Sequence, residues 1–184
     1  SGLYFALLTV TAVLVFAWQA PQIRGDYHVL ALLVVLNVIA GLMPISIYGD
    51  TRISVGFVIT LAIIVFFGVP GAVIVGLLAS LGPTLISRKF DERTVPNTAL
   101  FIVTDAAAAA AYVLFADVNP SSVSAAVAIG VSLATVVSFC LTATLISVPF
   151  LMLRTSTVRE LWERHSWLAP QQAAMGVVGF GLAS

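Results

Sequence analysis

Among the residues able to do chemistry, Asp105 stands out because it interrupts an otherwise apolar stretch, Thr98 to Ala116. A charged side chain at mid-membrane costs roughly 2.5–3.5 kcal/mol on insertion scales, so such a residue faces a partner or a cavity. Thr104 adjoins it, and Asn37 sits in the middle of an earlier apolar stretch. Asp105, Asn37 and Thr104 are therefore the candidate ligand-binding residues. The reading left open for Asp105 is an acid hydrogen-bonded to a neighbouring helix, and for Asn37 an interhelical hydrogen bond. Catalysis finds little support. The two histidines, His28 and His165, both lie in connecting segments, which excludes a histidine-built metal site at membrane depth. No HExxH or GxSxG occurs, and an aspartyl-protease site would need a second carboxylate sharing a proton with Asp105. No catalytic residue, metal or cofactor is expected.

The composition defines the solvent these residues must meet. Of 184 residues, 60% are apolar and 9% charged, and the mean hydropathy is +1.11. Soluble domains carry about a quarter charged residues, so the chain reads as an integral membrane protein with the lipid bilayer as its first partner. Eight basic residues balance eight acidic ones, leaving no basic surface for nucleic acid. The single cysteine, Cys140, excludes a disulfide framework.

The expected fold class is all-α, a polytopic membrane helix bundle of about six to seven spans with one interfacial amphipathic helix. Residues 1–184 form a single transmembrane domain, a fragment of a longer protein. A crossing of ~30 Å needs ~20 helical residues. Leu3 to Ala20 is the first span, its upstream end lying before Ser1. Val29 to Met43 is the second, ended by Pro44. Ile53 to Ile86 carries no charge and as one helix would be about 51 Å long, too long for one crossing. Gly68-Val69-Pro70-Gly71 is the natural break, giving two short antiparallel spans or a re-entrant hairpin. Before it, Ile45 to Val55 alternates apolar and polar residues on both sides of Gly49-Asp50, as a β-hairpin does. Thr98 to Ala116 follows a charged loop, Arg88 to Arg93. Val123 to Leu153 is uncharged, with Pro149 the expected kink. Leu168 to Ser184 is the last span. The alanine run Ala106 to Ala111 allows close helix packing.

Arg88, Lys89 and Arg93 fall on the same side as Arg154, Arg159 and Arg164, which the positive-inside rule makes cytoplasmic. Residues 157–167 read as a cytoplasmic interfacial helix. Thr157 and Glu160 have capping-box spacing, Glu160 and Arg164 pair at i,i+4, and Trp162 suits the headgroup layer. Trp162, Arg159 and Glu160 are the candidate signal-transmitting residues, the plainer reading being a connector.

The stretch from Leu36 to Lys89, with Asn37, Pro44, the alternating ribbon, the paired short spans and the basic loop, resembles the N-terminal membrane region of bacterial cyclic-di-GMP signalling proteins. Pro96-Asn97-Thr98-Ala99-Leu100-Phe101 fits the same pattern, and the likeness covers residues 30–120. It implies a non-enzymatic sensory or ligand-binding module, homodimeric, in the bacterial cytoplasmic (inner) membrane. A cytoplasmic HD-GYP, GGDEF or EAL domain outside this chain would give the output, since none of their signatures occurs here. The small-residue-rich plan is also similar to the S-components of energy-coupling-factor vitamin transporters, which implies a substrate-binding transport component instead.

Overall fold

A computed structural model describes residues 2–43, 45–48, 51–53, 56–88, 90–118, 120, 124–153, 157–165, 174 and 177, with backbone alone at 45–48, 51–53, 164 and 165. Its elements are α1 (Gly2–Gln19), α2 (Tyr27–Leu42), β1 (Ile45–Tyr48), β2 (Thr51–Ile53), α3 (Gly56–Ser87), α4 (Thr94–Val113), α5 (Ala125–Met152) and α6 (Val158–His165). A 3₁₀ turn, Ala20–Gln22, follows α1. Among the described residues, three helices are long and apolar enough to cross a membrane: Gly2–Gln22 with its 3₁₀ turn, Gly56–Ser87 and Ala125–Met152. The Tyr27–Leu42 helix is apolar but shorter.

Local chemistry sets the boundaries. The Asp26 carboxylate accepts from the His28 and Val29 amides at 2.8 and 3.4 Å. That cap satisfies orphan donors and starts α2 two residues before its uncharged run begins. α4 likewise begins at Thr94, ahead of the apolar stretch. Pro96 is tolerated in that first turn, where no intrahelical partner is needed for its missing N–H. Asp91 fastens the turn by accepting from the Arg93 amide and the Thr94 hydroxyl at 3.0 and 3.2 Å. Ser124 caps α5 through the Val127 amide. α5 runs to Met152, and Pro149, the residue at which a kink is expected, falls in its last turn.

β1 and β2 pair antiparallel, Ile45 opposite Ile53 and Ser46 opposite Arg52, with an irregularity between Ser46 and Tyr48. The ribbon expected from alternation is present. Its turn, 49–50, lies outside the described residues.

α3 is two helices folded back on each other. Gly68 leaves the helical region with φ 62° and ψ −149°, a conformation essentially restricted to glycine. A Cβ on Gly71 would lie 2.4 Å from Phe67 Cβ and 2.9 Å from Ile63 Cγ2. Residues eight apart in a straight helix stand about 12 Å apart along its axis, so this contact requires the reversal expected at Gly68–Gly71. The first half, 56–67, is about 18 Å long and the second, 69–87, about 28 Å. The first half alone is too short for a ~30 Å hydrocarbon layer, and the ribbon precedes it in the chain.

α4 is the central element and packs on α3, α5 and α1, while α2 packs on α3. Close approaches explain the small residues. A Cβ at Gly76 would meet the backbone of Phe101 and Ile102 at 3.0 Å, and one at Gly130 the Tyr112 ring at 2.8 Å. Buried polar residues among those described are Asn37, Thr60, Thr94, Thr98, Thr104, Asp105, Thr135 and Ser138, whereas Leu7, Leu14, Leu32, Val35, Ile129 and Val136 project outward. That apolar exterior suits lipid and would be a liability in water.

The bundle has two ends. Gln19, Gln22 and Arg24 gather with Gly68, Pro70 and Val113 at the turn end. The ribbon, the end of α3, the start of α4, the end of α5 and α6 belong to the other. Arg88, Arg93 and Arg159 therefore share one end, opposite Arg24.

Candidate functional site

Asp105 lies in the middle of α4, buried at 5% exposure, and makes no hydrogen bond or ion pair among the described residues. Its own helix places it between two packed clusters. Ile102 and Ala106 join Leu8, Ala12 and Val73, and Ala108 and Ala109 join Leu61, Ala72, Val131 and Ala134. The helix register supplies its facing residues. Gly76 abuts Phe101 and Ile102, and Gly130 abuts Tyr112. Antiparallel helices advancing equally from those contacts bring Asp105 level with Ala72 and Val73 on α3 and with Val137, next to Ser138, on α5. Ser138 is itself buried at 4% exposure. No titratable residue occurs along α3, and Cys140 is the only one along α5, so neither helix brings Asp105 a counter-charge.

Thr104, also buried, donates its hydroxyl to the carbonyls of Leu100 at 2.9 Å and Phe101 at 3.2 Å. Its polar group is thus absorbed by its own helix. Asn37 occupies a different interface. Its Nδ2 donates to the Gly56 carbonyl at 2.8 Å and to the Thr60 hydroxyl at 2.9 Å, tying α2 to the start of α3. Both amide hydrogens are committed there, which corresponds to the interhelical-contact reading. The three candidates therefore do not converge: Asp105 points from α4 into the bundle, and Asn37 fastens α2. Ser80 and Thr98 add a second polar clasp, 2.9 Å apart, between α3 and α4.

Replacing Asn37 by Leu removes both hydrogen bonds by which α2 reaches the Gly56 carbonyl and the Thr60 hydroxyl. Interhelical hydrogen bonds in membranes average about 0.6 kcal/mol and reach ~1.7, so a loss of about 1–2 kcal/mol is expected. A double-mutant cycle with Thr60→Val, read by denaturant unfolding in detergent, should show coupling of at least half that loss. Strict additivity would rule the clasp out.

α6 closes the ribbon end. The Glu160 amide donates to the Thr157 hydroxyl at 3.3 Å and the Thr157 amide to the Glu160 carboxylate at 2.8 Å, the reciprocal cap expected from their spacing. Arg159 pairs with Glu163 at 2.9 Å on the exposed face. Leu161 is buried and Trp162 is 62% exposed. The helix ends at His165, and residues 166–167 lie outside the described residues. A groove of about 310 Å³ separates α6 from the second half of α5, with Trp162, Leu161 and Val158 on one wall and Cys140, Ala143 and Ser147 on the other. Nothing in the spacing of these residues marks it, because it arises from how α6 turns back against α5. Among the described residues no group of three potential metal ligands occurs.

The fold and these sites define a helical bundle with an apolar exterior, suited to a bilayer. Comparison with family models, with curated proteins and with solved structures found no match.

Proposed function

We propose that the chain is a non-enzymatic sensory module crossing the bacterial cytoplasmic membrane six to seven times. As a homodimer, it passes a ligand signal to a cytoplasmic cyclic-di-GMP signalling domain outside this chain. The observation that carries this reading is Asp105: a carboxyl buried without a partner lowers stability and is understandable where a ligand or proton completes it. The order of ribbon, folded-back hairpin and basic loop supports it through the resemblance over residues 30–120. The end shared by Arg88, Arg93 and Arg159 is the cytoplasmic one under the positive-inside rule. There α6, held to α5 by Leu161 and exposing Trp162, Arg159 and Glu160, is the element able to pass movement of α5 on to the output domain.

The test replaces the whole module in the full-length protein by unrelated dimeric spans and measures cellular cyclic-di-GMP under changing growth conditions. A sensor predicts that dimerisation and basal turnover persist while condition-dependent change disappears. Regulation that survives the swap would reduce the module to an anchor.

A second reading, a substrate-binding component of a vitamin-type transporter, is favoured by a groove of about 350 Å³ between α1, α3 and α4, which includes Phe16, Leu77, Leu81 and Ile102. Co-purification of an ATPase module from native membranes would mark that alternative.

A further inference from the structure

Three segments far apart in the chain meet at the turn end of the bundle and enclose a cavity of about 600 Å³. The chain between α1 and α2 contributes Gln19, Gln22, Arg24 and Gly25, the reversal of α3 contributes Phe66 to Pro70, and the end of α4 with the residues after it contributes Val113 and Val118. Two glycines draw these walls together. Gly25 and Gly68, at φ 114° and 62°, are the positive-φ glycines among the described residues, and both line this cavity. A Cβ on Gly25 would stand 3.1 Å from Phe67 Cε1, and one on Gly68 2.9 Å from Val118 Cγ2. The segments therefore pack on one another without room for a side chain, and the cavity is formed before anything enters it. Its volume falls in the range of small-molecule sites, roughly 300–1,000 Å³.

The polar side chains of the lining come from one segment. Arg24 makes no hydrogen bond or ion pair among the described residues, and the Gln19 amide makes none either. Gln22 is anchored by donating to the Trp18 carbonyl at 2.7 Å. The acids of the same end leave Arg24 free. Asp26 is committed to the His28 and Val29 amides at 2.8 and 3.4 Å, and neither it nor Asp117 lines the cavity or pairs with Arg24. Phe66, Phe67, Val69, Pro70, Val113 and Val118 supply an apolar remainder. A guanidinium meets a carboxylate through two parallel N–H···O bonds. With one cation in the lining, the second charge of a dianion would stand uncompensated beside apolar walls, which is costly. The complement of this cavity is therefore a single negative charge on an apolar body.

We propose that this cavity binds a small monocarboxylate with an apolar body, its carboxylate on Arg24 and Gln19 and its body against Phe66, Val69 and Val113. An anionic lipid shares that head chemistry, but enclosure by three segments at the end of the bundle suits an occupant arriving from water. The cavity lies at the end opposite Arg88, Arg93 and Arg159. It does not include Asp105: Val113 follows Asp105 by eight residues on α4, about 12 Å along the helix axis. The site is thus separate from Asp105 and stands apart from the sensory reading.

The probe is 4-fluorophenylacetate, added to the complete protein in phosphatidylcholine nanodiscs and followed by fluorine NMR line broadening. Saturable binding is expected, with none of the neutral 4-fluorophenylacetamide. Arg24→Gln should weaken binding about tenfold or more, the usual loss when the charged partner of a hydrogen bond is removed. Val113→Phe, which places a ring in the cavity, should act in the same direction. Arg24 and Val113 are both exposed, so both variants should keep the denaturation midpoint of the unchanged protein. Arg88→Gln, at the other end, should leave binding as it is. Equal affinity in Arg24→Gln, equal affinity for the amide, or the absence of saturable binding would overturn the proposal. So would phosphatidylglycerol that co-purifies with the unchanged protein and is lost in Arg24→Gln, which would assign the cavity to a lipid headgroup.

Discussion

Gly68→Ala is expected to abolish most of the folded protein. Gly68 holds φ 62° and ψ −149°, where a non-glycine residue costs about 1–3 kcal/mol in backbone strain. The added Cβ would also stand 2.9 Å from Val118 Cγ2, and crowding of that kind costs about 1–3 kcal/mol more. Total stabilities of about 5–15 kcal/mol leave little reserve against such a sum. The damage is not confined to the turn, because the reversal at Gly68 brings both halves of α3 against α2. Asn37 bonds Gly56 and Thr60 in the first half, while Gly41 and Val38 approach Pro83 and Gly82 in the second. Gly71→Ala should act in the same direction, since its Cβ would sit 2.4 Å from Phe67 Cβ. The yield of monodisperse protein in detergent and its denaturation midpoint report the effect. A midpoint equal to that of the unchanged protein would mean that the hairpin is not held at Gly68.

Asp105→Val carries the opposite sign. The carboxyl is buried at 5% exposure and makes no hydrogen bond among the described residues, in surroundings that include Ala72, Val73, Ala108 and Ala109. Burying a polar group without a partner costs roughly 1–3 kcal/mol on mutational scales. An apolar residue of moderate size should return about that much, raising the unfolding free energy and the thermal midpoint. Stability gained at the expense of activity is the usual signature of a residue retained for function. Denaturant unfolding of the purified module checks the prediction. A substantial loss of stability in Asp105→Val would show that the carboxyl fastens the bundle, as Asn37 fastens α2.

The readable parts of the fold were those set by local chemistry. Gly68-Val69-Pro70-Gly71 announced a reversal because glycine and proline punctuate any helix. Thr157 and Glu160 announced a cap because its geometry spans only one turn. Alternation on either side of Gly49-Asp50 announced a ribbon because the strand period is two. Boundaries decided by side-chain caps were harder. α2 and α4 start ahead of their uncharged stretches because Asp26 and Asp91 satisfy the first amides and hydroxyls. Pro149 suggested a kink, yet its place in the last turn of α5 disturbs little.

The candidate site was legible only by residue type. Asp105 could be singled out as an acid among apolar residues, but the Asn37–Thr60 clasp, the part of α5 that Asp105 meets, and the groove beside Cys140 depend on which helices become neighbours. Three residues chosen for polarity at membrane depth proved to have three different surroundings. Thr104 is satisfied by its own helix, Asn37 by α3, and Asp105 by none of the described residues.

The proposed sensory function rests on Asp105 being retained for signalling rather than for stability. The most direct test is Asp105→Asn in the full-length protein, with the denaturation midpoint and condition-dependent cyclic-di-GMP turnover measured on the same preparations. The expected result is a midpoint unchanged or raised, together with loss of the regulated change in turnover. An unchanged response, or a midpoint that falls along with the response, would contradict that role.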